Sequence, residues 1–272
     1  MLCAAITFFC AKGIKMRVAV VYSGRPRDIR EAHENHKKFL HLFHPRVDIF
    51  AHLWDPAGLE GALYRPDASF QGQWPGVNIK NWIKENWKPI KVVYEKPRKF
   101  DHLYQEKWIP NRKSHAKDNQ LSMFYSIEKA MDLKRQYEEE NNFKYDYVFR
   151  MRTDTIFLDD LGDIKKYDSN KIHAFEVVPG EDWKSTGVEN FAILDIIAFG
   201  GSDVMDKYSK TWSNMEAILD VGCPVFSPDV LLGYNSVVHN KLTVEKHRWK
   251  FKLYRGTAIY GGPNYYLTTT KE

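Results

Sequence analysis

Apolar positions along this chain fall into two patterns: short continuous runs, and longer stripes spaced three and four residues apart. Arg17-Val18-Ala19-Val20-Val21-Tyr22 is a continuous run that stops at Ser23-Gly24-Arg25-Pro26-Arg27, the mark of a strand buried on both faces in a parallel sheet. Asp28 and Glu31 form an Asp version of the capping box, and Ile29, Ala32, His36, Phe39, Leu40 and Phe43 follow at helical spacing. Val47 to Leu53 is a second strand, ending at Trp54-Asp55-Pro56. Strand, helix and strand in that order predict a βαβ unit and an α/β fold.

The pattern then loosens. Ala57 to Gly76, rich in Gly, Pro and aromatics, is expected to be a loop or insertion. Ile79 to Trp87 predicts a short helix and Ile90 to Tyr94 a third strand, while Lys96 to Lys117 has the irregular, basic and aromatic character of a flap. Asp118 is the expected N-cap of a long helix carrying Leu121, Phe124, Ile127 and Met131 inward, with Glu138-Glu139-Glu140 as its solvated end. Tyr147 to Met151 is a buried strand. Lys171 to Val178 and Ala192 to Phe199 predict further strands. Ser202 is expected to cap a helix with Met205, Tyr208, Trp212, Met215 and Leu219 on one stripe, and Ser227-Pro228-Asp229 starts another. Trp249 to Tyr266 alternates aromatic and basic residues and is expected to fold back onto the rest. Neither a repeat nor a low-complexity linker is present, so residues 16–272 are expected to form one domain.

Composition narrows the functional classes. The chain has 272 residues, 43% of them hydrophobic, with 16 Phe, 15 Tyr and 8 Trp, enough for a sizeable core. A net charge of +5 is mild for this length and lacks the strong bias of a nucleic-acid-binding domain; it fits a basic cleft for phosphate-bearing ligands and an ordinary solvated surface equally well. Cys3, Cys10 and Cys223 provide neither a disulfide framework nor zinc spacing, which points to a reducing compartment. Leu2 to Cys10 is apolar but too short to span a bilayer and lacks a basic flank, so residues 1–15 are expected to be an extension outside the fold.

The candidate chemistry clusters at strand ends. Asp154 follows the buried strand Tyr147 to Met151 directly, beside Arg150 and Arg152, and a carboxylate there is costly unless something charged accompanies it. One reading is an internal salt bridge; the other is a hard divalent cation held by Asp154 and ligand phosphates, with arginine neutralising the rest. Gly24 would let the backbone approach a ligand, and Arg27 at a helix start favours an anion. An ordinary strand-to-helix turn would carry the same residues. Neither a GxGxxG fingerprint nor a P-loop is present. Asp195 interrupts an apolar strand and needs a partner or a purpose, and Asp229 sits in the first turn of a helix, where acids are common for structural reasons alone.

In order, Val21-Tyr22-Ser23-Gly24-Arg25-Pro26-Arg27, the Asp48 to Asp55 strand and Tyr145 to Asp154 resemble the small GT-A-type glycosyltransferases of bacteria and large DNA viruses. Asp195 to Ser202 and Ser227 to Leu232 also fit, so the resemblance spans about residues 16–256. It implies an αβα sandwich with a mostly parallel central sheet and a Rossmann-like nucleotide-binding half. It also implies a UDP- or GDP-sugar donor, a glycan or glycoprotein acceptor, and Mn²⁺ or Mg²⁺. On this resemblance Tyr22, Ser23, Gly24 and Arg27 lie near the nucleotide, with Arg150 and Arg152 facing its phosphates. Asp154 takes the place of the metal-binding acid, and Asp195 or Asp229 lies near the acceptor, as general base in an inverting enzyme. The chain departs from the family's Asp-x-Asp motif, reading Thr153-Asp154-Thr155, so Arg or Lys would carry more of the diphosphate charge. Action in the cytoplasm, without membrane or nucleic-acid partners, is expected. The alternative is a catalytically inactive nucleotide- or carbohydrate-binding module of the same fold.

Overall fold

The computed structural model describes residues 16–27, 29–41, 47–55, 79–100, 114–177, 187–224, 227–255, 258–261 and 266–268. The extension 1–15, the Asp28 cap, Phe43 and the loop expected over 57–76 lie outside them.

The expected runs become strands β1 (Val18–Gly24), β2 (Val47–Trp54), β3 (Lys91–Glu95) and β4 (Tyr147–Met151). β6 (Ile172–Glu176), β7 (Ile193–Gly200) and β8 (Val244–His247) complete a seven-stranded sheet in the order β3-β2-β1-β4-β7-β6-β8. β1 to β4 run parallel. β7 is antiparallel to both β4 and β6, and β8 is parallel to β6, so β7 alone is reversed. The fold is therefore α/β with a mostly parallel central sheet flanked by helices.

β1 shows why the sheet is buried on both faces. Val18, Val20 and Tyr22 enter one core with Ile29 and Phe39 of α1 (Ile29–His41) and Ile79 and Ile83 of α2 (Ile79–Asn86). Ala19 and Val21 alternate into a second core. There they meet α3 (Ser114–Asn141), α4 (Ser202–Ser209), α5 (Met215–Asp220) and α6 (Pro228–Gly233). Ser227 caps α6 as expected, its hydroxyl accepting from Val230 N–H, with Pro228 in the first turn.

A second sheet holds the segment after Asp154 in place. β5 (Thr155–Phe157) pairs antiparallel with β9 (Phe251–Arg255), followed by β10 (Ala258–Gly261) and β11 (Tyr266–Thr268), so the tail does fold back. α1 grips β5 from the other side. The Asn35 amide exchanges two 2.8 Å bonds with Phe157, and His36 Nε2 donates to the Thr155 carbonyl at 2.5 Å.

Four local readings are corrected. α3 already runs from Ser114, so Asp118 is inside the helix rather than at its cap. The Ser202 helix is capped by Gly201 backbone, and the stripe from Met205 to Leu219 breaks into α4 and α5. Glu138 is not a solvated helix end: it is 1% exposed and accepts from Lys134 Nζ and Tyr145 N–H, both at 2.8 Å. Lys134, fully buried, also pairs with Asp206 at 2.8 Å and donates to Ser202 Oγ, so this ion cluster bolts α3 to α4. The sequence shows only charges at helical spacing; their burial comes from the docking of α4.

Removing Lys134 leaves the buried Glu138, among the described residues, with only the largely exposed Lys144, 3.5 Å away, as a cationic partner. Lys134→Ala is expected to destabilise the fold by about 3–5 kcal/mol, read as a lowered urea midpoint. An unchanged midpoint would show that the cluster contributes nothing.

Candidate functional site

β1 lies between β2 and β4, while the chain's connections run away from it on both sides. That makes the β1/β4 boundary a switch point, where ligands of open α/β sheets bind outside the carboxyl ends of the strands. Two segments emerge there: Arg25-Pro26-Arg27 after β1 and Arg152-Thr153-Asp154 after β4. Gly24 makes the first exit possible, because its φ of 99° is in the left-handed region that side chains avoid. Thr153 Oγ1 donates to the Arg25 carbonyl at 2.9 Å and ties the two exits together.

Asp154 is the centre of this junction. Its side chain is 2% exposed, and Arg152 holds it bidentately, Nε to Oδ1 and Nη2 to Oδ2, both 2.8 Å. Arg27 Nη1 donates to Oδ2, also at 2.8 Å. The arginine side chains are less buried, 22% exposed for Arg27 and 16% for Arg152. Both readings of Asp154 thus meet at one place: it is in an internal salt bridge, and that bridge lines the switch-point crevice. Because both of its oxygens already accept guanidinium N–H groups, the arrangement does not fit a hard divalent cation at Asp154. Among the described residues no group of three or more His, Cys, Asp or Glu could hold a metal ion.

β7, the reversed strand, brings its amino end to the same edge. Asp195 therefore reaches Arg152, its Oδ2 lying 3.4 Å from Nη1. The Asp195 N–H donates to Asp229 Oδ1 at 3.1 Å, placing the first turn of α6 beside it. Burial first, and then the Asp195 charge, raise the Asp229 carboxyl well above the ordinary carboxylate range. The α6–β7 contact that creates this pair is unusually close: a Cβ on Gly233 would stand 2.1 Å from the Phe191 carbonyl oxygen. The sequence motifs marked Asp195 and Asp229 separately; only the fold makes them a pair.

Other candidates take different positions. Tyr22 points into the α1 core rather than the crevice, its hydroxyl 3.0 Å from His36 Nδ1 and its ring stacked on Trp87 at 4.1 Å. Burial pushes His36 down to about 4, so it stays neutral and passes the Tyr22 bond on to Thr155. Arg150 is 1% exposed and donates to the Asp195 carbonyl, supporting the acid pair from below rather than facing solvent. Ser23 stands at the end of β1, 8% exposed, and its Oγ has no hydrogen-bond partner among the described residues.

The sequence reading missed a polar hub next to Gly24. Ser126 Oγ accepts from Gly24 N–H at 2.8 Å, donates to the His52 carbonyl at 3.0 Å and lies 2.9 Å from His52 Nδ1. His52 Nε2 in turn faces Glu95 Oε2 at 2.9 Å, and the Tyr125 hydroxyl donates to the same oxygen at 3.0 Å. Burial alone would raise Glu95, but the bonds from His52 and Tyr125 prevail and hold its carboxyl below the ordinary range. This hub fixes the β1 turn to the ends of β2 and β3. The signal was present as a His within an apolar strand and a Ser on the apolar face of α3. No family model and no curated protein sequence matches the chain.

Two outcomes test this geometry. In the window where unfolded Asp229 ionises but folded Asp229 keeps its proton, the folded state binds more protons, so stability falls as pH rises. The contribution is complete below the ordinary carboxylate pKa of about 4 and is lost as pH climbs through the raised folded value. Asp229→Asn keeps the acceptor oxygen and is expected to level that slope in urea midpoints measured against pH; identical slopes would refute the raised carboxyl. Gly233→Ala must push α6 from β7 and is expected to cost about 1–3 kcal/mol in chemical denaturation.

Proposed function

We propose that this chain is a GT-A-type glycosyltransferase, moving a sugar from a nucleotide-diphosphate donor to a hydroxyl of a glycan acceptor. The observation that carries the reading is the Asp195–Asp229 pair beside a guanidinium cluster at the switch point. Sugar transfer needs two things there: stabilisation of a leaving diphosphate, and a carboxylate that takes the acceptor's proton. Arg27 and Arg152 supply fixed positive charge that strengthens its hold as the diphosphate gains charge. A carboxyl raised toward neutrality, as in Asp229, is matched to general-base work in its ionised form, which then binds the proton more tightly than an ordinary aspartate. Asp195 holds Asp229 through its backbone and keeps its proton affinity high through its charge. Ser23, buried and without a hydrogen-bond partner for its Oγ among the described residues, supports a polar ligand beside Gly24. The order β3-β2-β1-β4 is that of a nucleotide-binding Rossmann half, which supports the donor assignment. A cytoplasmic setting accompanies the proposal, supported by the low cysteine count.

The test is a screen of UDP- and GDP-sugars for donor hydrolysis and transfer, with Asp229→Asn as the comparison. The variant is expected to lower kcat by about 10²–10⁴-fold while leaving the donor KM nearly unchanged. Undiminished turnover would remove Asp229 from the mechanism. Nucleotide binding with no turnover by the wild type on any donor would favour the inactive binding module instead.

A further inference from the structure

We propose that Asp154 is an anchor for arginine rather than a metal ligand, and that Arg27 and Arg152 form a diphosphate site that works without a divalent cation. The identity of the anion rests on the glycosyltransferase reading; the site itself rests on geometry.

Three observations carry it. The Asp154 side chain is 2% exposed while those of Arg27 and Arg152 are 22% and 16% exposed, so an incoming ligand meets the arginines before the carboxylate. A hard cation bound to a carboxylate oxygen sits about 2.0–2.6 Å away. Guanidinium nitrogens already stand 2.8 Å from both Asp154 oxygens, so such a cation would press directly against two like charges. Finally, the charge present already suits an anion. Arg27 and Arg152 pair with the carboxylates of Asp154 and Asp195, the buried Arg150 adds a third guanidinium on the Asp195 backbone carbonyl, and burial disfavours a third negative charge on Asp229. The planar fork of arginine matches phosphate oxygens bidentately, and Asp154 fixes two such forks from different segments before any ligand arrives.

The experiment is titration calorimetry with inorganic pyrophosphate on the full chain, in chelator and then in Mn²⁺. The dissociation constant is expected to agree within about twofold between the two conditions. Arg27→Gln is expected to weaken binding about tenfold or more in both. Asp154→Asn keeps an acceptor for the arginines but removes a negative charge, so pyrophosphate is expected to bind as tightly or more tightly in chelator. A metal ligand would give the opposite result, and Mn²⁺-dependent binding abolished by Asp154→Asn would overturn the proposal. So would the absence of pyrophosphate binding in chelator by the wild type, or full affinity in Arg27→Gln; these two measurements decide the matter even if Asp154→Asn fails to fold. Failure of the parent reading looks different: pyrophosphate binding in chelator with no sugar transfer would remove the transferase and leave the cation-free anion site. Sugar transfer with binding that requires Mn²⁺ would do the reverse.

Discussion

The buried carboxylate of Asp154, held by Arg27 and Arg152, joins parts of the chain that are otherwise 127 residues apart. Left unpaired there, it would be prohibitively costly or would neutralise itself. Its position is therefore stable only when the exits of β1 and β4 lie side by side. The surrounding contacts enforce that arrangement. Thr153 binds the Arg25 carbonyl, while Asn35 and His36 of α1 clamp β5 immediately after Asp154. The same arginines that satisfy the carboxylate are the positive face of the crevice, so one interaction serves both fold and site.

The acid pair depends on that junction as well as on the reversal of β7. A parallel β7 would deliver Asp195 to the opposite edge of the sheet, away from Arg152. Close packing of Gly233 on Phe191 then sets the first turn of α6 against the Asp195 backbone. The result is a carboxyl whose proton affinity is raised by burial and by a like charge, beside guanidiniums that would favour its ionised form more if they were nearer. Burial is the largest contribution to that rise.

Structural and chemical use of charge are separated across the sheet. On the α3 side, Lys134 and Glu138 are sealed from solvent and join the partly exposed Asp206 to hold helices together. At the carboxyl edge, the acid Asp154 is the sealed member, and the arginines around it are the partly exposed ones. Burial distinguishes them, since in sequence both read as ordinary charges near helices or strand ends.

The sequence by itself determined most strands of the central sheet and most helices, because continuous apolar runs and three-to-four spacing reflect local burial that any packing must satisfy. β1, β2, β4, the Ser227-capped α6 and the chemical candidates Arg27, Arg152, Asp154, Asp195 and Asp229 were all legible for that reason. Tertiary structure alone decided direction and partnership. An apolar strand has the same pattern whichever way it runs, so the reversal of β7 left no trace in its residues. Burial of Glu138, the inward turn of Tyr22 and the Ser126–His52–Glu95 hub likewise arise from segments that meet only in three dimensions. The chemistry of Asp154 was decided the same way. Its neighbours in sequence supplied one arginine, and the fold supplied the second, fixing whether the carboxylate faces a cation or anchors the groups that face an anion.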